Sequence, residues 1–240
     1  MKNLSFLPKV YILGTILFGF ILTVWIAPKL NWSHIGLYLL AALGAVTQTL
    51  KVEGPNDKTN YSIAWFVYGF AFVLFGPVSA IFIIVISHLA EWIWHKYLWY
   101  IQSFNIGAHG IPVLLAGWVF AKLGGETQVP GLGNALALSI ASLVFVFVNH
   151  LLVGLVVKFA RGQSLGQSGV FEFLTLFLDF TVFSMGAVTA LVWQAGSFAA
   201  ILNILPLYLL YNALRVPSLS RQLQEVRAIG SKMEVNVGGD

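Results

Sequence analysis

Apolar residues fall into eight runs separated by short polar connections. In chain order they are Val10–Ala27, Ile35–Leu50, Tyr61–Phe75, Pro77–Trp94, Phe104–Leu123, Ala135–Val157, Phe173–Trp193 and Ser197–Leu214. An α-helix rises about 1.5 Å per residue, so the longer runs cover the roughly 30 Å hydrocarbon core of a bilayer. The pattern predicts an all-α integral membrane protein, a polytopic bundle of about eight transmembrane helices. The third and fourth would form a tight hairpin at Gly76-Pro77, although the third is short. The longest connections, Lys51–Asn60, Gly124–Asn134 and Arg161–Val170, are short and rich in Gly, Pro, Asn or Ser, so no second domain is expected in them. Residues 1–215 read as the transmembrane bundle, and 216–240 as a cytoplasmic amphipathic helix and tail.

Composition strengthens this picture. The chain is 58% hydrophobic and 9% charged, against about 25% charged for soluble globular domains. The net charge of +4 therefore points to anionic lipid at the connections and not to nucleic acid. With both termini inside, eleven of the thirteen basic residues lie on the inner side, and only Lys29 and Lys122 lie outside. The positive-inside rule then orients the chain in its membrane with both ends cytoplasmic. Lys2 and Lys9 ahead of an apolar stretch resemble a signal peptide, but the run is long and lacks a small-x-small cleavage site, so it reads as a retained helix. The absence of cysteine excludes disulfides and thiolate metal sites.

Tryptophans mark the expected interfaces. Trp25, Trp32, Trp118 and Trp193 fall at the outer one, and Trp65, Trp92, Trp94 and Trp99 at the inner one. The aromatic stretch from Trp92 to Tyr100 is expected to turn along the inner surface. Small residues at helical spacing, Ala41/Ala45 and Gly186/Ala190, suit close packing of helices.

Counting depth along each run brings ionisable residues from four helices to one level. His88, His109, His150 and Asp179 each lie about 8–11 Å inside the cytoplasmic interface at the helical rise. Asn105 and Asn149 lie near that level, and Glu91 shares a helix face with His88, with His95 one turn further. A charge at the bilayer centre costs at least about 2.5–3.5 kcal/mol, so such groups face one another or a cavity. His88, Glu91, Asn105, His109, Asn149, His150 and Asp179 are the candidate ligand-binding residues. Three readings share the layer: a hydrogen-bonded clamp, a proton- or ligand-sensing cavity, and a site for haem, chlorophyll or metal. The spacing of His88, Glu91 and His95 matches no established metalloenzyme. No metal is expected, and no cofactor can be named.

After Pro217, the residues Leu219, Leu223, Val226, Gly230 and Met233 repeat at heptad spacing. They would bury one face against a second copy or a larger membrane complex, or else rest on the bilayer among Arg221, Arg227 and Lys232. Several short motifs lead up to this stalk: Phe75-Gly76-Pro77, Phe104-Asn105, Leu123-Gly124-Gly125, Val148-Asn149 with Leu152-Val153, and Leu205-Pro206-Leu207 followed by Leu209-Leu210. Together with Gln222-Leu223-Gln224-Glu225-Val226-Arg227-Ala228, their order resembles the polytopic membrane module at the N-terminus of bacterial signalling proteins with HD-type phosphohydrolase or GGDEF output domains. The resemblance spans most of the chain from about Tyr61. It implies a sensory or regulatory module, here ending at Asp240 before an output domain would begin. Pro206 would hinge the last crossing in such a device.

Two other classes stay open: the substrate-binding subunit of a vitamin-type transporter, and an accessory subunit of a respiratory or photosynthetic complex. An enzyme is not expected, because no nucleophile–base pair or phosphate-binding loop appears. Since the chain has no cysteine, single cysteines report topology without ambiguity. Impermeant maleimides should label positions 76 and 126 from outside and positions 58 and 161 from inside. Labelling of 126 and 58 from the same side would overturn the eight-crossing topology.

Overall fold

The structure, a computed structural model, describes residues 1, 4–53, 60–126, 131–196, 201, 203 and 205–216. It is built from helices: α1 (Phe6–Ile26), α2 (Ile35–Thr49), α3 (Ala64–His95), α4 (Trp99–Lys122), α5 (Leu132–Arg161) and α6 (Phe173–Gln194). A 3-10 turn, Ala27–Lys29, follows α1, and residues 205–216 are also helical. Two short strands, β1 (Val52–Glu53) and β2 (Asn60–Tyr61), pair antiparallel within what the sequence presents as a plain loop. Among the described residues, five helices are long and apolar enough to cross a membrane, and α2 is a shorter apolar helix. Its 15 residues cover roughly 22 Å.

The bundle differs from a soluble protein at its surface, while its core is largely apolar with polar groups enclosed in it. Phe6, Leu17, Phe20, Leu39 and Phe147 face outward, while Ser87, His88, Glu91, Gln102 and Ser142 are buried. Lipid solvates the outer apolar face at no cost, whereas a polar group turned into lipid would lose its hydrogen bonds. Polar side chains therefore gather inside.

The centre of α3 departs from helical geometry at Gly76, with φ 83° and ψ 172°, directly before Pro77. A side chain would be strained at that φ, and proline removes a backbone donor, so Gly-Pro interrupts the helix at one place. Segments 64–75 and 77–95 then cover roughly 18 and 28 Å. In an unbroken helix Trp65 and His88 would stand about 35 Å apart. Instead their rings lie 5.7 and 4.8 Å from the ring of His109.

The first half of α3 is the most enclosed part of the bundle, with Tyr68, Ala71, Phe72 and Val73 at 1% exposure or less. It meets α6 backbone to backbone. A Cβ added at Gly69 would collide with the Phe183 carbonyl, and one at Gly186 with the Phe66 carbonyl. Gly186 and Ala190 thus serve the packing role that their spacing suggests, with Gly69 as the partner. Phe145 and Phe183 stack beside this contact at 4.3 Å between ring centroids.

Two details differ from the sequence reading. Trp65 is buried against His109, Phe145 and His150 and is not an interface anchor. The stretch from Trp92 to Tyr100 does not lie flat as one piece. Helix α3 runs to His95, Lys96 takes a left-handed conformation, and α4 starts at Trp99. Pro206 lies in the described helical stretch 205–216, and the residues ahead of it that would define a hinge, 197–200, 202 and 204, lie outside the described residues. The stalk residues Leu219, Leu223, Val226, Gly230 and Met233 lie outside the described residues.

Gly186→Val should destabilise the protein by about 1–3 kcal/mol, because the new side chain forces α6 off the α3 backbone. Gly133→Ala, at an open position, should change stability little. Chemical denaturation in detergent micelles checks both, and equal effects would remove the special status of the α3–α6 contact.

Candidate functional site

The polar side chains converge in two groups joined by an indole. The first is centred on Glu91, which is fully buried. Its Oε1 forms an ion pair with Lys51 Nζ, and its Oε2 accepts from Gln48 Nε2 at 2.8 Å. Gln48 Oε1 in turn accepts from Ser62 at 3.0 Å and from the Tyr68 hydroxyl at 3.3 Å. Lys51 stands just past α2, and Ser62 just before α3, so the β1–β2 excursion returns the chain to the same level.

The direction of the hydrogen bonds sets the tautomers of the histidines. His109 Nδ1 lies 2.8 Å from the Asn105 carbonyl. A carbonyl only accepts, so this nitrogen carries the proton. The same N–H is 3.3 Å from His88 Nε2, which must therefore present its lone pair. His88 then carries its proton on Nδ1, directed at Gln102 Oε1 at 3.0 Å and Glu91 Oε2 at 3.3 Å. Two neutral imidazoles thus relay hydrogen bonds from α4 through α3 to the Glu91 carboxylate.

The second group joins α5 to α6. His150 Nδ1 is 2.7 Å from the Val170 carbonyl and must donate to it, while Nε2 is 2.9 Å from Asp179 Oδ2. Two lone pairs cannot face each other at that distance, so one proton lies between them. The pair holds it either as imidazolium–carboxylate or as imidazole–carboxylic acid, and is neutral overall in both forms. The connection after α5 supplies Val170, whose own N–H is held by the Ser168 hydroxyl. Trp65 spans the gap between the groups, its ring 5.7 Å from His109 and 6.0 Å from His150.

A cavity of about 230 Å³ lies against both groups, and His88, Asn105, His109, Asn149, His150 and Asp179 all line it. Glu91 sits behind it as the anchor of Lys51, Gln48 and His88. The seven candidate residues from the sequence are thus brought to one place. His95 is not: its ring contacts the Thr49 carbonyl at an exposed position. Among the described residues no group of three or more His, Cys, Asp or Glu side chains has an arrangement that could hold a metal ion.

Sequence reasoning missed Gln48, Lys51, Ser62, Trp65, Gln102 and Val170. Gln102 carried a usable signal, since it is an amide within one helical turn of the start of α4, the helix that bears Asn105 and His109, whereas Gln48 lies on α2, which bears no candidate. Trp65 and Val170 carried none, because an indole near an interface and an apolar loop residue have ordinary explanations. Outside the spans, the Tyr97 hydroxyl is held above its usual pKa by partial burial and then by the Glu91 charge. No known protein family, curated protein or solved structure matches the chain.

Lys51→Met should cost about 3 kcal/mol by leaving the Glu91 carboxylate buried without its cation. Adding Glu91→Gln should restore most of that loss, because the amide oxygen still accepts from Gln48 and His88. A double variant no more stable than Lys51→Met would show that the ion pair is not the anchor.

Proposed function

We propose that this chain is a non-enzymatic sensory or regulatory module of a bacterial inner membrane, and that its inner-leaflet cavity binds a small ligand. The observation that carries the reading is the cavity itself. Seven polar side chains from α3, α4, α5 and α6 line it, the six candidates and Thr175, at a depth where burying polar groups is unfavourable unless they are used. A packed apolar interior would have held the helices together more cheaply. The likeness of the sequence motifs to bacterial sensor modules supports the same class.

This reading includes the eight crossings. Segments 64–75 and 77–95 of α3 form a hairpin at Gly76-Pro77, a geometry supported by the meeting of Trp65 and His88 at one imidazole. The first arm is short for a membrane span, and burial on all sides lets neighbouring protein, instead of headgroups, surround its ends. The cavity then opens toward the cytoplasmic side, where Lys51 and Asn60 line it.

One feature favours the alternative of a purely structural clamp. The Lys51–Glu91–Gln48–His88 network is internally satisfied and ties α2 to α3 without any ligand. The His150–Asp179 side is less complete, since Asp179 uses one oxygen only.

Native mass spectrometry of protein extracted into native nanodiscs should show one small molecule bound per chain. Asn149→Leu should lower its occupancy roughly tenfold, the effect of losing one hydrogen bond of about 1.4 kcal/mol. It should also lower the melting temperature, because the Ala108 carbonyl loses its donor, so occupancy is compared at a temperature where the variant stays folded. Bare protein in every preparation would leave the clamp as the function of the layer.

A further inference from the structure

The polar cavity shares a wall with an apolar groove. The groove, of about 300 Å³, lies between the start of α1, the start of α4 and the end of α5, where Ile12, Phe104, Val156 and Arg161 line it. Asn105 and Val153 line both spaces. A polar chamber and a hydrocarbon-lined channel thus meet at one amide and one valine.

The chamber is rich in unengaged acceptors. With its proton on Nδ1, His109 has a lone pair on Nε2. Asn149 donates its NH₂ to the Ala108 carbonyl, which turns Oδ1 the other way. Asp179 Oδ1 has no hydrogen-bond partner among the described residues, since only Oδ2 meets His150. These three residues are 9%, 4% and 7% exposed. Among the described residues, the buried side-chain atoms sealed away without a hydrogen-bond partner are Glu91 Oε1, which faces Lys51, and Ser184 Oγ. The free acceptors of His109, Asn149 and Asp179 are not sealed, so they open on the chamber.

We propose that groove and chamber form one site for a single-chain amphiphile with an apolar chain and a hydrogen-bond-donating head, such as a hydroxyl-bearing glyceride. The proposal rests on the reading of the chamber as a binding site and names the ligand class. The head donates to His109, Asn149 and Asp179, and the chain lies along Phe104, Ile12 and Val156. At those three acceptors a fatty-acid carboxylate or a phosphate head would set acceptor against acceptor; of the cations in the two linings, Lys51 in the chamber is held by Glu91 and Arg161 belongs to the groove. The chamber holds roughly seven water volumes, enough for a glycerol-sized head. Entry is sideways from the inner leaflet, past Asn105 and Val153.

Monoolein carrying a diazirine in its chain tests this in phosphatidylcholine nanodiscs containing the full chain. Photolabelling should saturate and map to Ile12, Phe104 and Val156. Unlabelled monoolein should compete, and methyl oleate, which has the same chain without donors, should not. Val156→Trp, which fills the groove, and Val153→Phe, which narrows the shared wall, should each reduce labelling roughly tenfold, and variants with the wild-type melting temperature are the ones compared. Non-saturable labelling spread over the outer surface, or equal competition by methyl oleate, would overturn the amphiphile. If native mass spectra still show a small molecule in that case, the chamber remains a binding site and only the ligand class falls. If they show none, both readings fall together.

Discussion

The interruption at Gly76 is the constraint on which the site depends. One backbone conformation, with φ at 83°, and one missing donor at Pro77 divide a 32-residue helix. Without that break Trp65 and His88 would lie at opposite ends of it, and neither the indole bridge nor the imidazole relay could form. The enclosed first half then packs on α6 through Gly69 and Gly186, where backbone meets backbone. Glycine does three jobs here with one property, the absence of a Cβ. It permits the break, and on both sides of the α3–α6 contact it permits close approach.

Hydrogen-bond direction decides the rest of the polar layer. Each carbonyl in the network can only accept, which fixes a proton on His109 Nδ1 and on His150 Nδ1. Those two assignments propagate. The first makes His88 an acceptor toward His109 and a donor toward Gln102 and Glu91. The second forces one proton into the His150–Asp179 contact. The layer therefore has one saturated half, anchored by Lys51 and Glu91, and one half with acceptors left over. A clamp explains the saturated half well. In the other, Asn149 donates to the Ala108 carbonyl, which Pro112 leaves without its helical donor, while the Asn149 Oδ1 and Asp179 Oδ1 acceptors face the cavity.

The apolar groove beside this chamber is built of Ile, Phe and Val where α1, α4 and α5 meet, and its Ile12 and Phe104 are themselves buried. What distinguishes it is its shared wall. Asn105 belongs to the groove through its position near the start of α4 and to the layer through its carbonyl, which accepts from His109. A residue with both memberships couples membrane and cavity within one turn of helix.

Much of this was legible from sequence because a bilayer is a one-dimensional ruler. Apolar runs, end charges and the 1.5 Å rise located the helices within a few residues and placed His88, His109, His150 and Asp179 at one depth. The glycine spacing at Gly186 announced close packing, and Gly76-Pro77 announced the break. Depth carries no information about azimuth, however. Whether a side chain at a given height faces lipid, a neighbour or a cavity depends on how each helix is rotated, and only tertiary packing sets that. So Trp65, an interface anchor by height, became the partition between two polar groups, and His95, a site candidate by spacing, turned away. Val170 and Gln48 entered the site because a loop and a neighbouring helix were folded against it, a contact that no local pattern encodes.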